Sequence, residues 1–243
     1  MIVALMIGRA GSKGFPNKNV KTLNKKKICE YPIIACKKSK FIKEIFVATD
    51  CKKIINATKK YNVNYIDRPK YLNTSKALGE DVYLYSYSKI KEKIKNIELV
   101  VLLFANAPTL NESMLDNAIK KIKKNKKADS IVSVSKYNMW SPLRARKINK
   151  QGFLDPFVNF EYFGDPKKLN CDRDSQGDVL FADMSFSIVK PKCFQNMQNN
   201  LLPQKWMGNK ILPYISEAGL DIDFEWQFPQ LEFWNKKLKK KIK

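Results

Sequence analysis

The residues best suited to chemistry lie near the two ends of the numbering. Residues 8–19 read GRAGSKGFPNKN and follow the apolar run MIVALMI. Gly8, Gly11 and Gly14 let the backbone approach a ligand and take positive φ. Successive N–H groups in such a loop form an anion cradle. Arg9, Lys13 and Lys18 add mobile positive charge, Ser12 adds a hydroxyl, and Pro16 stiffens the exit towards Asn19. Neither GxxxxGK[ST] nor GxGxxG fits. The loop is expected to bind phosphate by another route, the plain alternative being a flexible turn coated in lysine. Residues 219–228 read GLDIDFEWQF. On a strand, Asp221 and Asp223 would share one face. Two like charges there are unfavourable unless a cation lies between them; a solvated turn with incidental acids is the alternative.

Composition narrows the chemistry. The chain has 243 residues and no histidine, which excludes Ser-His-Asp triads, Cys-His pairs and histidine metal sites. Cys29, Cys36, Cys51, Cys171 and Cys193 form no CxxC pair, so neither a zinc site nor a disulfide framework is expected. Buried or half-buried thiols in a reducing cytosol are the simple reading. A metal would then be held by oxygen, which points to Mg²⁺ or Mn²⁺. The net charge of +23 invites a nucleic-acid reading, but it comes from 41 lysines and only five arginines (Arg9, Arg68, Arg144, Arg146 and Arg173). Nucleic-acid surfaces cluster charge and favour arginine for bidentate phosphate contacts. No nucleic-acid partner is expected; the charge favours an anionic substrate. MIVALMI is too short to span a membrane and no other run reaches the required length, so a soluble cytoplasmic protein without stable membrane insertion is expected.

The elements that must position these residues follow from periodicity. Strands are expected at MIVALMI, at 44–50 ending in Asp50, at VNYIDRP, at IELVVLLFANAP and at ADSIVSVSKY, with lysine-rich helices between them. The helix near residues 26–39 should bury Ile28, Tyr31, Ile34 and Ala35, and that at 79–94 should bury Val82, Tyr85 and Ile90. This βαβα order implies an α/β fold with a parallel, doubly wound sheet. The pattern breaks at 138–183, read as an insertion that is partly β-hairpin. Residues 1–137 and 184–243 form the main domain, ending in a returning strand, a short strand, a last helix and a frayed lysine-rich tail.

The opening stretch, with GRAGSKGFPNKN, NKKKICEYPI and VATD, resembles the start of the acylneuraminate cytidylyltransferase family, the CMP-sialic-acid-synthetase group. RPKYL (68–72), LVVLLFANAPT (99–109), ADSIVSVSKY and the terminal GLDIDFEWQF extend the resemblance loosely along most of the chain. The resemblance implies a three-layer, Rossmann-like nucleotidyltransferase related to the GT-A fold. It implies a homodimer, with the insertion covering the neighbour's acceptor site. CTP would be the donor and an anionic small molecule the acceptor. By position, Arg9, Ser12, Lys18 and Asn19 would carry the nucleotide, assisted by Lys13 beside Gly8 and Gly11, with Arg68 near the cytidine. Asp221 and Asp223 would hold Mg²⁺ or Mn²⁺, and with Lys18 and Arg9 make up the catalytic set.

The chain also departs from the family pattern. Phe104 replaces a glutamine of the QPTSP-like loop, and Asn106 occupies its centre, in reach of base or ribose. Ser75 stands where an aspartate follows RPxxL, while Asp81 keeps a later acidic position. In RDSQGDVLFADMSFSIVK (173–190), Arg173 and Gln176 survive, and Asp183 is the nearest polar substitute for an Asn-Gly pair. These three, with Arg144 and Arg146, whose spacing suits a carboxylate, phosphate or phosphonate, are the expected acceptor contacts. Two acceptors stay open: a nonulosonic acid for a surface glycan, or another acid such as a phosphonate. A nucleotide-binding relative without catalysis and a basic RNA-binding module are the competing readings.

Overall fold

The computed structural model describes residues 1–11, 14–172, 176–217 and 219–241. Seven strands form one sheet: β1 (Ile2–Gly8), β2 (Ile42–Thr49), β3 (Asn64–Ile66), β4 (Leu99–Phe104), β5 (Ser130–Lys136), β6 (Leu180–Val189) and β7 (Ile211–Ser216). Their spatial order is β7-β5-β6-β4-β1-β2-β3. All pairs are parallel except those made by β6, which runs antiparallel to both β4 and β5. The helices are α1 (Glu30–Lys38), α2 (Lys52–Thr58), α3 (Gly79–Lys93), α4 (Glu112–Lys124), the short α5 (Lys192–Gln195) and α6 (Phe228–Lys241).

Strand alternation divides the core into two layers. From β1, Ala4 and Met6 pack on one face with Ile33, Ile54 and Ile119 of α1, α2 and α4. Val3, Leu5 and Ile7 pack on the other with Tyr83 and Ile90 of α3 and with Trp206. Strands covered on both faces read as continuous apolar runs, and LVVLLF of β4 is one, buried apart from half-buried Phe104. Helix α4 shows how local signals act together. Asn111 caps it through its side chain, accepting from Met114 N at 3.0 Å, and Leu115, Ala118, Ile119 and Ile122 fall on one buried face. The architecture is the expected three-layer α/β arrangement with a mostly parallel sheet.

Details differ from the sequence reading. Helix α1 buries Ile33 and Cys36, with Ile34 only half-buried, and α3 buries Tyr83 and Tyr87 while Tyr85 stays half-exposed. Tyr83 is held inward because its hydroxyl donates to Leu103 O at 3.0 Å. The chain is helical through Lys241, where a frayed tail was expected. Cys171 is exposed, unlike the other four cysteines. Within 138–183, a hairpin pairs Arg146–Ile148 with Leu154–Pro156, and β6 begins inside that stretch, at Leu180. Among the described residues no helix is long and apolar enough to cross a membrane.

Candidate nucleotide site

The carboxyl ends of β1, β2 and β4 meet at one edge of the sheet, the position where open α/β sheets bind ligands. The glycine-rich loop leaves β1 there. Ala10 N donates to Asp50 Oδ1 at 2.9 Å, tying the loop to the end of β2. Phe15 is buried with Leu23, Ile28, Ile222 and Leu231 in a small satellite core, which anchors the loop's far end. Of the three loop glycines only Gly11 takes positive φ, 72°. Gly8 and Gly14 serve close packing instead. A Cβ on Gly8 would lie 2.6 Å from Ala105 Cβ, and one on Gly14 would lie 2.8 Å from Asp223 O.

The segment bearing Asp221 and Asp223 lies beyond β7 and outside the strands, correcting the strand expectation. It is nonetheless held extended against the loop after β4. Ile222 N donates to Asn106 O at 3.0 Å, and Asn106 Nδ2 returns a bond to Ile222 O at 3.0 Å. Asn106 Nδ2 also reaches Asp221 Oδ2 at 3.2 Å. With Ile222 sunk into the satellite core, both flanking carboxylates line a cavity of about 300 Å³, at the lower end of the roughly 300–1,000 Å³ of small-molecule sites. Ile7, Gly8, Arg9, Lys18, Asn19, Arg68, Ala77, Leu78, Gly79, Val82, Phe104 and Asn106 complete its wall. Residues as far apart in the chain as Lys18 and Asp223, 205 positions, thus share one site.

Its electrostatics are mixed. Arg9 Nη1 donates to Gly11 O at 3.1 Å, and Asn19 Nδ2 supports Arg9 O at 3.3 Å. Lys18 is ion-paired with Asp223. Burial raises the Asp221 carboxyl above the usual aspartate value and the Asp223 charge adds to the rise, while Lys18 and Asn106 oppose it. Arg68 is buried and donates from Nη2 to Leu72 O, leaving Nε without a partner. Burial lowers its pKa, Asp50 opposes that, and Arg9 adds to it. An unpartnered buried donor costs about 1–3 kcal/mol.

The residues suit a hard divalent ion. Among the described residues no cluster of three metal-ligating side chains exists, so the protein offers the Asp221 and Asp223 oxygens alone. That matches an ion that keeps waters and takes substrate phosphates as further ligands. A cation there would also relieve the repulsion that raises Asp221.

The acceptor residues fall elsewhere. Arg144 donates to Cys171 O. Arg146 donates to Leu143 O and Ala145 O at 3.1 and 3.0 Å and lies over the Phe160 ring at 5.6 Å. Gln176 Nε2 donates to Asn170 O at 3.1 Å. All three bond within the inserted stretch and none lines the cavity. Asp183 does not fit the acceptor role expected of it. It is 5% exposed, and its carboxylate accepts from the hydroxyls of Ser133, Ser135 and Ser216, so it has no face left for a ligand. Ser12, Lys13 and Arg173 lie outside the described residues. Sequence reasoning gave no role to Asp50 or to Leu78 and Gly79. Asp50 was legible as the polar end of an apolar strand, whereas Leu78 and Gly79 carry no chemical signal.

Known proteins resemble this chain in sequence and in fold. The profile of the cytidylyltransferase family matches residues 3–230. N-acylneuraminate cytidylyltransferase of Escherichia coli is 25% identical over 229 residues, covering 93% of this chain and 50% of that protein. CMP-N,N'-diacetyllegionaminic acid synthase of Legionella pneumophila is 28% identical over 230 residues, covering 91% and 90%. The chain spans only 27% of a Helicobacter pylori relative described as pseudaminic acid cytidylyltransferase and UDP-2,4-diacetamido-2,4,6-trideoxy-beta-L-altropyranose hydrolase. In fold, it is similar to CMP:2-keto-3-deoxy-manno-octonic acid synthetase complexed with CTP, with TM-score 0.67 at 12% identity over 97% and 98% of the two chains. With a profile match running almost end to end, the chain belongs to the cytidylyltransferase family.

Proposed function

We propose that this chain is a divalent-cation-dependent cytidylyltransferase that moves CMP from CTP to an acid sugar of the nonulosonic type and releases pyrophosphate. The observation that carries this is the joining, in one cavity, of the glycine loop, buried Arg68 and the Asp221–Asp223 pair. An acceptor oxygen attacks the α-phosphorus of CTP and gives up its proton. The new P–O bond forms as the α–β bridge breaks, and pyrophosphate carries away the electron pair. Such transfers need mainly positioning and charge neutralisation, which is why a chain without histidine can perform them. Arg9 and Lys18 neutralise the triphosphate, the latter after leaving Asp223. Lys13 and Ser12 assist by the family resemblance. Arg68 lines the nucleoside end beside Phe104 and Gly79. Asn19 and Asn106 hold the two walls in place. Asp221 and Asp223 would hold Mg²⁺ or Mn²⁺, which would supply further charge neutralisation at the phosphates.

The acid-sugar acceptor is supported by relatives at 25–28% identity, the N-acylneuraminate cytidylyltransferase and the CMP-N,N'-diacetyllegionaminic acid synthase. A phosphonate or phosphorylated metabolite is the second reading, favoured by the inward turn of Asp183. The inserted stretch exposes Trp140, Phe157 and Tyr162 to 67%, 61% and 85%. Several large apolar side chains left in solvent on one stretch suit an interface, and a second copy of the chain is the proposed occupant. Work in the cytoplasm, on a precursor for a surface glycan, suits five free thiols. The test is pyrophosphate release with CTP, UTP, GTP and ATP, each with Mg²⁺ and a panel of acid acceptors, with Lys18→Ala as control. Release with CTP and one acceptor is expected. Neither release nor stabilisation by CTP would sink the reading, and stabilisation without release from any pair would favour a binding-only relative.

A further inference from the structure

The segment carrying Asp221 and Asp223 is held by side chains of the antiparallel half of the sheet, not by strand pairing. Between β6 and β5 the register breaks. Ala182 pairs with Val134 and Ser187 with Val132, so residues 183–186 stand opposite Ser133 alone. Met184 in this bulge has φ of 60°, an uncommon conformation for a bulky side chain. Bulges re-aim side chains and cluster near active sites. Here the bulge turns Asp183 inward. Its Oδ1 accepts from Ser133 Oγ at 2.6 Å and from Ser185 N at 3.1 Å. Its Oδ2 accepts from Ser135 Oγ at 2.6 Å and from Ser216 Oγ.

That carboxylate sets the donor direction of Ser135, whose oxygen is thereby free to accept from Gly219 N at 2.9 Å. Gly219 lies so close that a Cβ on it would be 2.6 Å from Asp183 Oδ2 and 2.6 Å from Ser185 Oγ. Thr109 continues the network. It bonds Ser185 Oγ at 2.7 Å, accepts from Leu220 N at 2.9 Å and donates to Leu220 O at 3.1 Å. Tyr137 donates to Gly219 O at 3.0 Å. Asn106 then takes Ile222. The backbone of Gly219, Leu220 and Ile222 is thus bonded to side chains and a loop of this set, so the aspartates inherit their place from it.

We infer that Asp183 is a positioning residue: its hydroxyl network fixes residues 219–220 and thereby the carboxylates of Asp221 and Asp223 for a divalent cation. The inference rests on the reading that those two aspartates take the cation. Outer-shell partners of metal ligands typically contribute about 10–100-fold to metal affinity. The experiment measures Mn²⁺ binding by electron paramagnetic resonance on the full chain with CTP present, and CTP affinity separately in EDTA. Asp183→Ala and Ser135→Ala are each expected to weaken Mn²⁺ by about tenfold or more. CTP affinity in EDTA, set by the glycine loop, should stay within twofold of wild type. Asp183→Asn keeps the shape but puts an amide donor where the Ser135 and Ser216 hydroxyls now donate, and should show much of the same loss. Gly219→Ala, with Asp183 intact, should reproduce it. Mn²⁺ affinity unchanged in folded Ser135→Ala and Gly219→Ala, while Asp221→Asn abolishes binding, would overturn the positioning role and leave the site's reading standing. An equal loss of metal-free CTP affinity would overturn it too, by exposing a merely structural role. Mn²⁺ binding untouched in Asp221→Asn would remove the reading of the site itself. If Asp183→Ala does not fold, Ser135→Ala and Asp183→Asn decide.

Discussion

Asp223→Asn should change CTP binding in opposite directions with and without a divalent cation. In the structure Lys18 is held by Asp223, with the lysine side chain 13% exposed and the aspartate 54% exposed. A pair with one partner in solvent is worth about 0.2–1 kcal/mol. A triphosphate must draw Lys18 out of that pair, so freeing it in advance returns the same amount, about 1.4–5-fold in Kd. With Mg²⁺ present the substitution removes one of two carboxylate ligands. The loss should exceed the roughly tenfold that even outer-shell changes produce. The assay is calorimetric titration of CTP into wild type, Asp223→Asn, Lys18→Ala and the double variant, each in EDTA and in Mg²⁺. Tighter binding by Asp223→Asn in EDTA, vanishing in the Lys18→Ala background, is the expected pattern. Unchanged or weaker binding in EDTA would mean that the Asp223 pair does not hold Lys18 back from the triphosphate. A gain that survives without the Lys18 ammonium would assign it to the general field of the site and not to this pair.

Three further outcomes follow from the geometry. Gly8→Ala places a Cβ 2.6 Å from Ala105 Cβ and should cost about 1–3 kcal/mol, or roughly 2–4 °C in Tm per kcal/mol. Ala105→Gly should rescue part of it, and strict additivity in urea unfolding would argue against the contact. The raised Asp221 carboxyl means that its charge opposes folding. Its favourable contribution is whole below the unfolded value of about 3.9 and is lost as pH rises through the higher folded value. In EDTA, Asp221→Asn should therefore melt above wild type at neutral pH, with the gap closing towards pH 4; a variant that melts lower at neutral pH would contradict this. Trp140→Glu with Phe157→Glu should convert a wild-type dimer to monomer in sedimentation, and a monomeric wild type would refute the proposed role of that surface.

Much of the fold was legible because its strands are covered on both faces. LVVLLF can only be an interior strand, and ESMLDNAIKKIKK can only present one apolar stripe. The reversed direction of β6 was not legible, since nothing in MSFSIV distinguishes a parallel from an antiparallel strand. Nor could the sequence choose between Ile33 and Ile34, adjacent residues of one type, or foresee that Tyr83 would outcompete Tyr85 by donating to Leu103 O. In the site, the loop and the aspartate pair stood out through charge and glycine spacing. Asp183 was misread because its partners Ser133, Ser135 and Ser216 come from two other strands, and hydroxyls at such separations leave no pattern along the chain. The bulge that turns it inward contains Met184 at positive φ, where a glycine or asparagine would have signalled the turn.

The central claim is transfer of CMP itself. The most direct measurement is mass spectrometry of the product made from CTP and an acid sugar carrying ¹⁸O in its attacking hydroxyl, with pyrophosphate counted in parallel. One CMP-sugar per pyrophosphate is expected, with the label retained in the bridge between sugar and phosphorus. Free CMP in place of the conjugate, or release of orthophosphate instead of pyrophosphate, would contradict it.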